Sequence, residues 1–139
     1  MNREIKFRGK RVDNGNWIIG GYVEWSDIRD NKHYQIVSSA GCHNDIISET
    51  IGQFTELHDK NSKEIYEGDI VKFEPTVSKG MKLVPSGYEL TGIVSLNMYN
   101  HPCIYAFNTP CLDREFHIEN AMKGEVIGNI NDNPELINK

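Results

Sequence analysis

Hydrophobic and polar positions alternate with a period of two over most of the chain, the mark of strands with one face buried. Glu4-Ile5-Lys6-Phe7-Arg8 opens the pattern. On a strand it puts Lys6, Arg8 and Lys10 on one face with Glu4, while Ile5 and Phe7 point inward. Asn14-Gly15 supplies the pair that tolerates positive φ in a tight hairpin turn. The run from Trp17 to Trp25 is rich in strand formers, and its Gly20-Gly21 pair predicts a bulge or a close backbone approach. Further strands are predicted at Tyr34–Val37 and Thr50–Thr55. The first sixty residues therefore read as a β-meander.

Asp59-Lys60-Asn61-Ser62 is a turn-rich break, and the boundary between two parts of the chain is placed there. Beyond it, Gly68-Asp69 signals a turn that leads directly into the apolar strand Ile70–Phe73. Residues 74–90 contain Pro75, Gly80, Pro85 and Gly87 with no period, and read as a long loop. From Gly92 to Met98, Val94, Leu96 and Met98 face one way and Ser95 and Asn97 the other. Ile104–Phe107, Phe116–Ile118 and Glu125–Ile130 are further short strands. Asp132 or Asn133 can cap a helix of one or two turns with Pro134 at its first position. Strands this short and this regularly punctuated predict an all-β barrel or sandwich with very little helix.

A length of 139 residues suits one domain or two very small ones. With 38% hydrophobic and 25% charged residues, the composition is that of a soluble globular protein rather than a disordered or membrane-embedded one. No stretch approaches the roughly 18 apolar residues of a membrane span. The basic start has no apolar secretory segment behind it. Cys42, Cys103 and Cys111 are odd in number and irregularly spaced, which fits reduced thiols. Together these features predict a cytoplasmic protein.

Three blocks carry a family resemblance. They are Arg3–Lys10, the stretch from Ile51 through Asp59-Lys60-Asn61 to Glu64-Ile65-Tyr66-Glu67-Gly68-Asp69-Ile70-Val71, and the ending Glu125–Ile130 with Asn133-Pro134-Glu135-Leu136. In this order, over nearly the whole chain, they resemble the YopX family of phage and prophage proteins. The resemblance implies a phage or prophage origin in a bacterial host. It also implies that the C-terminal half, 61–139, folds as a small barrel of the Src-homology-3 type, after the N-terminal β-subdomain over 1–60 that the alternation predicts. It brings no catalytic residue and no cofactor, because the family is functionally uncharacterised. Ser62 departs from the pattern, where Gly is expected, and Asn61 is the residue that can take the left-handed conformation instead. The segments 74–90 and 108–115 are particular to this chain and are where partner specificity is expected.

Charge is unevenly placed. Residues 1–11 hold Arg3, Lys6, Arg8, Lys10 and Arg11 against Glu4, a net +4, whereas the remainder is −9. These five cations near Trp17 are candidate contacts for an anionic partner. The structural alternatives are a charge-protected edge strand, or pairing with the acidic body. Glu64, Glu67 and Asp69 bracket a turn, where Asp69 is expected to hydrogen-bond its own turn backbone rather than hold a metal ion. Cys42, His43, Cys103, Cys111 and His117, with His33 and His101, lack the short paired spacings of structural zinc. No nucleophile elbow, phosphate loop or dinucleotide fingerprint is present. The sequence is thus read as a non-enzymatic binding or assembly module, without metal or cofactor, for a host or phage protein or for copies of itself. Trp17, Tyr22, Trp25 and Tyr88 are its candidate interface aromatics. Nucleic-acid binding through the basic strand is the alternative.

Overall fold

The computed structural model describes residues 5–97, 101–107 and 115–137. Backbone contacts divide the chain into two units, Met1–Glu56 and Leu57–Lys139. That division falls four residues before Lys60 in the turn-rich break.

The first unit is an antiparallel sheet. Its strands are β1 (Phe7–Lys10), β2 (Trp17–Ser26), β3 (Lys32–Val37), β4 (His43–Asp45) and β5 (Gly52–His58), the last running into the second unit. The spatial order β4-β3-β2-β1-β5 makes β1 an interior strand, paired with β2 on one side and β5 on the other. The edge-strand reading of the basic segment is therefore wrong. Gly15, at φ 71°, turns the β1–β2 hairpin, with its amide donating to the Arg11 carbonyl at 2.9 Å.

One face of this sheet is packed. Phe7 and Tyr22 bring their rings to 5.7 Å, and a Cβ on Gly9 would lie 2.8 Å from Ile46 Cδ1. Ile36 is fully buried on the same face. A Cβ on Gly20 would run into the Val37 carbonyl oxygen, which is the close approach that the glycine pair predicts. Ile5, expected to point inward, is 64% exposed, because strand pairing begins only at Phe7. A 3-10 turn at Ser48–Thr50 leads into β5. The Thr50 hydroxyl there accepts the Lys10 amide at 2.9 Å and donates to the Ile47 carbonyl at 2.6 Å.

The second unit contains β6 (Glu64–Tyr66), β7 (Asp69–Phe73), β8 (Thr76–Lys79), β9 (Lys82–Pro85), β10 (Leu90–Leu96), β11 (Pro102–Ala106), β12 (Glu115–His117), the single helical turn α1 (Glu119–Met122) and β13 (Glu125–Asn129). Five of these form an antiparallel sheet in the order β12-β11-β10-β7-β13, with a register shift in β13 between Val126 and Gly128. Ile65, Val71, Phe73, Leu90, Val94, Ile104, Ala106, Ile118, Ala121 and Val126 form its core. The protein is mainly β, as its alternation predicts.

The segment 74–90, read as a loop, instead folds into the hairpin β8–β9, turned by Gly80 at φ 66°. Its pattern is hidden because most of both strands is exposed, so no core face imposes alternation. The C-terminal helix shrinks to a 3-10 turn, Pro134–Leu136, in which the Asn133 side chain makes no cap bond. Asn133 Oδ1 instead accepts the Asn129 amide at 3.2 Å and fastens the end of β13.

Two carboxylates build the turns of this unit. Asp69, 1% exposed, accepts the Tyr66 amide at 2.8 Å, the turn role expected of it. Asp59, which sequence reading passed over as part of a break, does more. Its Oδ1 accepts the Asn61 and Lys63 amides at 2.8 and 2.9 Å, and its Oδ2 accepts the buried Val126 amide at 2.9 Å. The left-handed residue of this turn is Ser62, at φ 65°, and not Asn61. The Asn61 amide is committed to Asp59, which leaves the next residue to make the turn.

Candidate functional site on the first sheet

Strand pairing places side chains directly opposite one another on a shared face. Arg8 opposes Ile19, and Lys10 opposes Trp17. At the other end of β2, Trp25 opposes His33, and Val23, Gln35 and Asp45 lie in one row across β2, β3 and β4. The packed face holds the alternate positions Phe7, Gly9, Tyr22, Ile36 and Ile46, so these residues occupy the opposite, outer face.

The outer face is organised rather than loose. Trp25 stacks on His33 with ring centroids 4.1 Å apart and planes 14° from parallel. Its indole Nε1 donates to Gln35 Oε1 at 3.0 Å, and Gln35 Nε2 donates to Asp45 Oδ1 at 2.9 Å. His43 Nδ1 lies 3.1 Å from the same Gln35 oxygen. His33 Nε2 meets Asp27 Oδ2 at 3.1 Å. That contact with His33 and the Asn31 and Arg29 amides pull the Asp27 carboxyl down to about 2, against a small opposing effect of burial. Trp25 is nevertheless 43% exposed and Ile19 48% exposed. The result is an aromatic ring held in one orientation with its apolar surface open.

Toward β1 the same face turns cationic. The Arg8 guanidinium lies 4.7 Å from the Trp17 ring centroid, and Lys10 Nζ lies 5.5 Å from it. Lys6 Nζ lies 4.7 Å above the Phe54 ring. Such contacts each contribute on the order of 0.5–1 kcal/mol, and the Nε of Arg8 is buried beneath this face. Arg11 is paired with Asp13 at 2.7 Å, beside a cleft of about 240 Å³ also lined by Val12, His43, Asn44 and Asp45.

Over residues 6–138 the sequence matches the family described as YopX protein. The chain belongs to the YopX family. A crystal structure of protein EF1440 from Enterococcus faecalis is similar to this YopX chain, with a TM-score of 0.51 and 22% identity, covering 98% of this chain and 99% of that one. At that identity the likeness shows a shared fold. Comparison with the curated proteins gives no match.

The YopX structure brings some of the residues singled out from sequence together and separates others. Lys6, Arg8, Lys10, Trp17 and Trp25 share the outer face, with Arg11 at its border. Arg3 lies outside the described residues. Tyr22 belongs to the packed face, where its hydroxyl donates to Glu24 at 3.3 Å; burial, and then Glu24, push its phenol up. Tyr88, 48% exposed, belongs to the second unit. Sequence reading missed Gln35, Asp45 and Asp27, and weighed His33 and His43 only as zinc ligands. Polar residues at every other position of β3, His33 and Gln35, were the available signal; their meeting with Trp25 depends on strand register.

Cys111 lies outside the described residues, and among the described ones no three His, Cys, Asp or Glu converge on a point that would hold a metal ion. Cys42 is exposed and Cys103 buried. Cys103 opposes His117 and borders a cleft of about 290 Å³ with Asn97, His101 and Glu115. Burial pushes its thiol up, and the Glu115 carboxylate adds to this against a hydrogen bond with Tyr105. A nucleophilic cysteine needs the reverse. No helix among the described residues is long and apolar enough to cross a membrane.

Proposed function

We propose that this YopX protein is a non-enzymatic recognition module that grips a protein partner with the outer face of its first sheet. The observation that carries this reading is Trp25: open to solvent, yet fixed by His33 behind its ring and Gln35 at its nitrogen. Aromatic rings held in this way lose little side-chain entropy on binding and are over-represented among residues that dominate interface energies. Ile19 extends the apolar centre, and Arg8, Lys10 and Asp45 supply a polar rim. The raised Cys103 thiol argues against Cys103 itself as a nucleophile. On this reading the partner is a host or phage protein in the cytoplasm of a phage-infected or prophage-bearing bacterium.

A nucleic-acid reading draws on one separate observation, the flanking of Trp17 by Arg8 and Lys10, since single strands are bound by a ring between cations. One set of pulldowns from host lysate decides between them, using wild type, Trp25→Ala and Arg8→Gln/Lys10→Gln, each with and without nuclease. A protein that survives nuclease and is lost with Trp25→Ala supports the proposal. Nucleic acid recovered by wild type and lost with the Arg8/Lys10 variant supports the second reading, and its affinity must then fall steeply with salt. A protein held equally by wild type and Trp25→Ala overturns the proposed face.

A further inference from the structure

The hairpin β8–β9 stands apart from the five-stranded sheet. It forms its own two-stranded sheet, in which Thr76 pairs with Pro85 and Lys79 with Lys82, and among the described residues no strand pairs with either outer edge. The Ser86 amide closes its base on the Pro75 carbonyl at 3.0 Å. A lone hairpin is marginal in water, and an uncovered apolar edge is what single-chain β proteins usually suppress. This one has short strands with Lys79, Lys82 and Pro85, which guard against open-ended pairing, but it leaves its apolar side chains uncovered. Met81 at its tip is fully exposed, Leu83 is 74% exposed and Val77 40% exposed, with Tyr88 at 48% just beyond the base.

Charge indicates what covers it. Residues 75–88 carry Lys79 and Lys82 and no acid, whereas the rest of the second unit carries six Lys/Arg against twelve Asp/Glu. That acidic remainder also has apolar side chains at its surface beside carboxylates. Tyr105, 39% exposed, lies directly across from Glu115, and Met122, 42% exposed, shares one helical turn with Glu119. A basic, apolar arm and an acidic surface with exposed rings and methyls are complementary, and every copy of the chain carries both.

We infer that β8–β9 is a self-association arm: the hairpin of one chain docks on the acidic surface of the second unit of another copy. Reciprocal docking pairs arm with surface twice and closes a two-fold dimer. Met81 and Leu83 supply the buried apolar contact, and Lys79 and Lys82 supply the orientation. This goes beyond recognition by the first sheet and does not depend on it.

Sedimentation equilibrium of the full chain in reductant, which removes any disulfide through exposed Cys42, tests the inference. Wild type is expected to dimerise at low salt, about 50 mM, and to weaken as screening shortens the range of the lysine charges. Lys79→Glu/Lys82→Glu and Met81→Asp/Leu83→Asp are each expected to raise the dimer dissociation constant at least about tenfold, which is about 1.4 kcal/mol. Because all four side chains project into solvent, both variants should melt like the wild-type monomer, and circular dichroism checks this. A wild-type monomer at about 100 µM and low salt, where mass action favours association, overturns the inference. So does a dimer that either variant leaves unchanged.

Discussion

Asp59→Asn removes one oxygen from a carboxylate that holds three backbone amides of the second unit. In the wild type, Oδ1 holds the Asn61 and Lys63 amides of its own turn, and Oδ2 holds the buried Val126 amide, 67 residues away in sequence, at 2.9 Å. Asparagine keeps an acceptor for the turn but points an NH2 group at the Val126 N–H, donor against donor. Losing one charge-assisted bond and stranding a buried amide costs about 2–3 kcal/mol, since bonds to charged groups contribute about 1.5–3 kcal/mol each. Asp59→Ala strands all three amides and should cost more. At roughly 4 °C per kcal/mol, the asparagine variant should melt about 8–12 °C lower at pH 7. Trp17 and Trp25 both lie in the first unit, so tryptophan fluorescence would miss the event; far-UV circular dichroism and hydrogen exchange at the Val126 amide report it. The pH dependence carries its own sign. Burial pushes the Asp59 carboxyl up, but the Val126, Lys63 and Asn61 amides outweigh it and hold it below its ordinary value. Its stabilisation is therefore full above the unfolded value near pH 4 and is lost as pH falls through the lower folded value. Wild type and Asp59→Asn should converge in stability at the acid end. Equal melting at pH 7, or a gap that widens toward pH 2, would refute the assignment.

Three further outcomes follow from the same geometry. Ser62→Gly relieves a left-handed φ of 65° and should stabilise the second unit by about 0.5–1 kcal/mol in urea unfolding, the left-handed penalty exceeding glycine's entropic cost. Gly92→Ala would put a Cβ 2.5 Å from Ile104 Cγ2 and 2.8 Å from the Tyr105 carbonyl, and should destabilise by about 1–3 kcal/mol. In carbon-detected NMR the Asp27 carboxyl should titrate near pH 2 and move back toward the ordinary carboxylate range in His33→Ala; an unmoved titration would show that His33 is not the partner that lowers it.

The strands were legible wherever one side of them meets a core. Leu90, Gly92 and Val94 turn inward along β10 as their alternation requires, and the Gly20 approach was readable because only glycine tolerates it. The hairpin β8–β9 was illegible for the complementary reason: without a core there is no pattern. The outer face of the first sheet falls between these cases. Trp17, Trp25, Arg8 and Lys10 were visible as residue types, but His33 becomes Trp25's neighbour only through the register that the β2–β3 turn sets, which residue types alone do not give. Asp59 was hidden for a longer-range reason, since its decisive partner, Val126, is 67 residues away.

Register also reshapes the charge argument. A +4 segment opposed to a −9 remainder suggests a cationic ribbon seeking an anion. Folding places that segment inside a unit with seven Lys/Arg against eight Asp/Glu, and lays three of its cations over aromatic rings of the same sheet. By composition that unit is near neutral, with one acid in excess, although the three cations keep their charge over the rings. The larger imbalance lies in the second unit, at eight against twelve, and it is there that Lys79 and Lys82 project on an arm without a single acid. Charge separation in this chain is therefore better placed to organise contact between copies than to capture a polyanion.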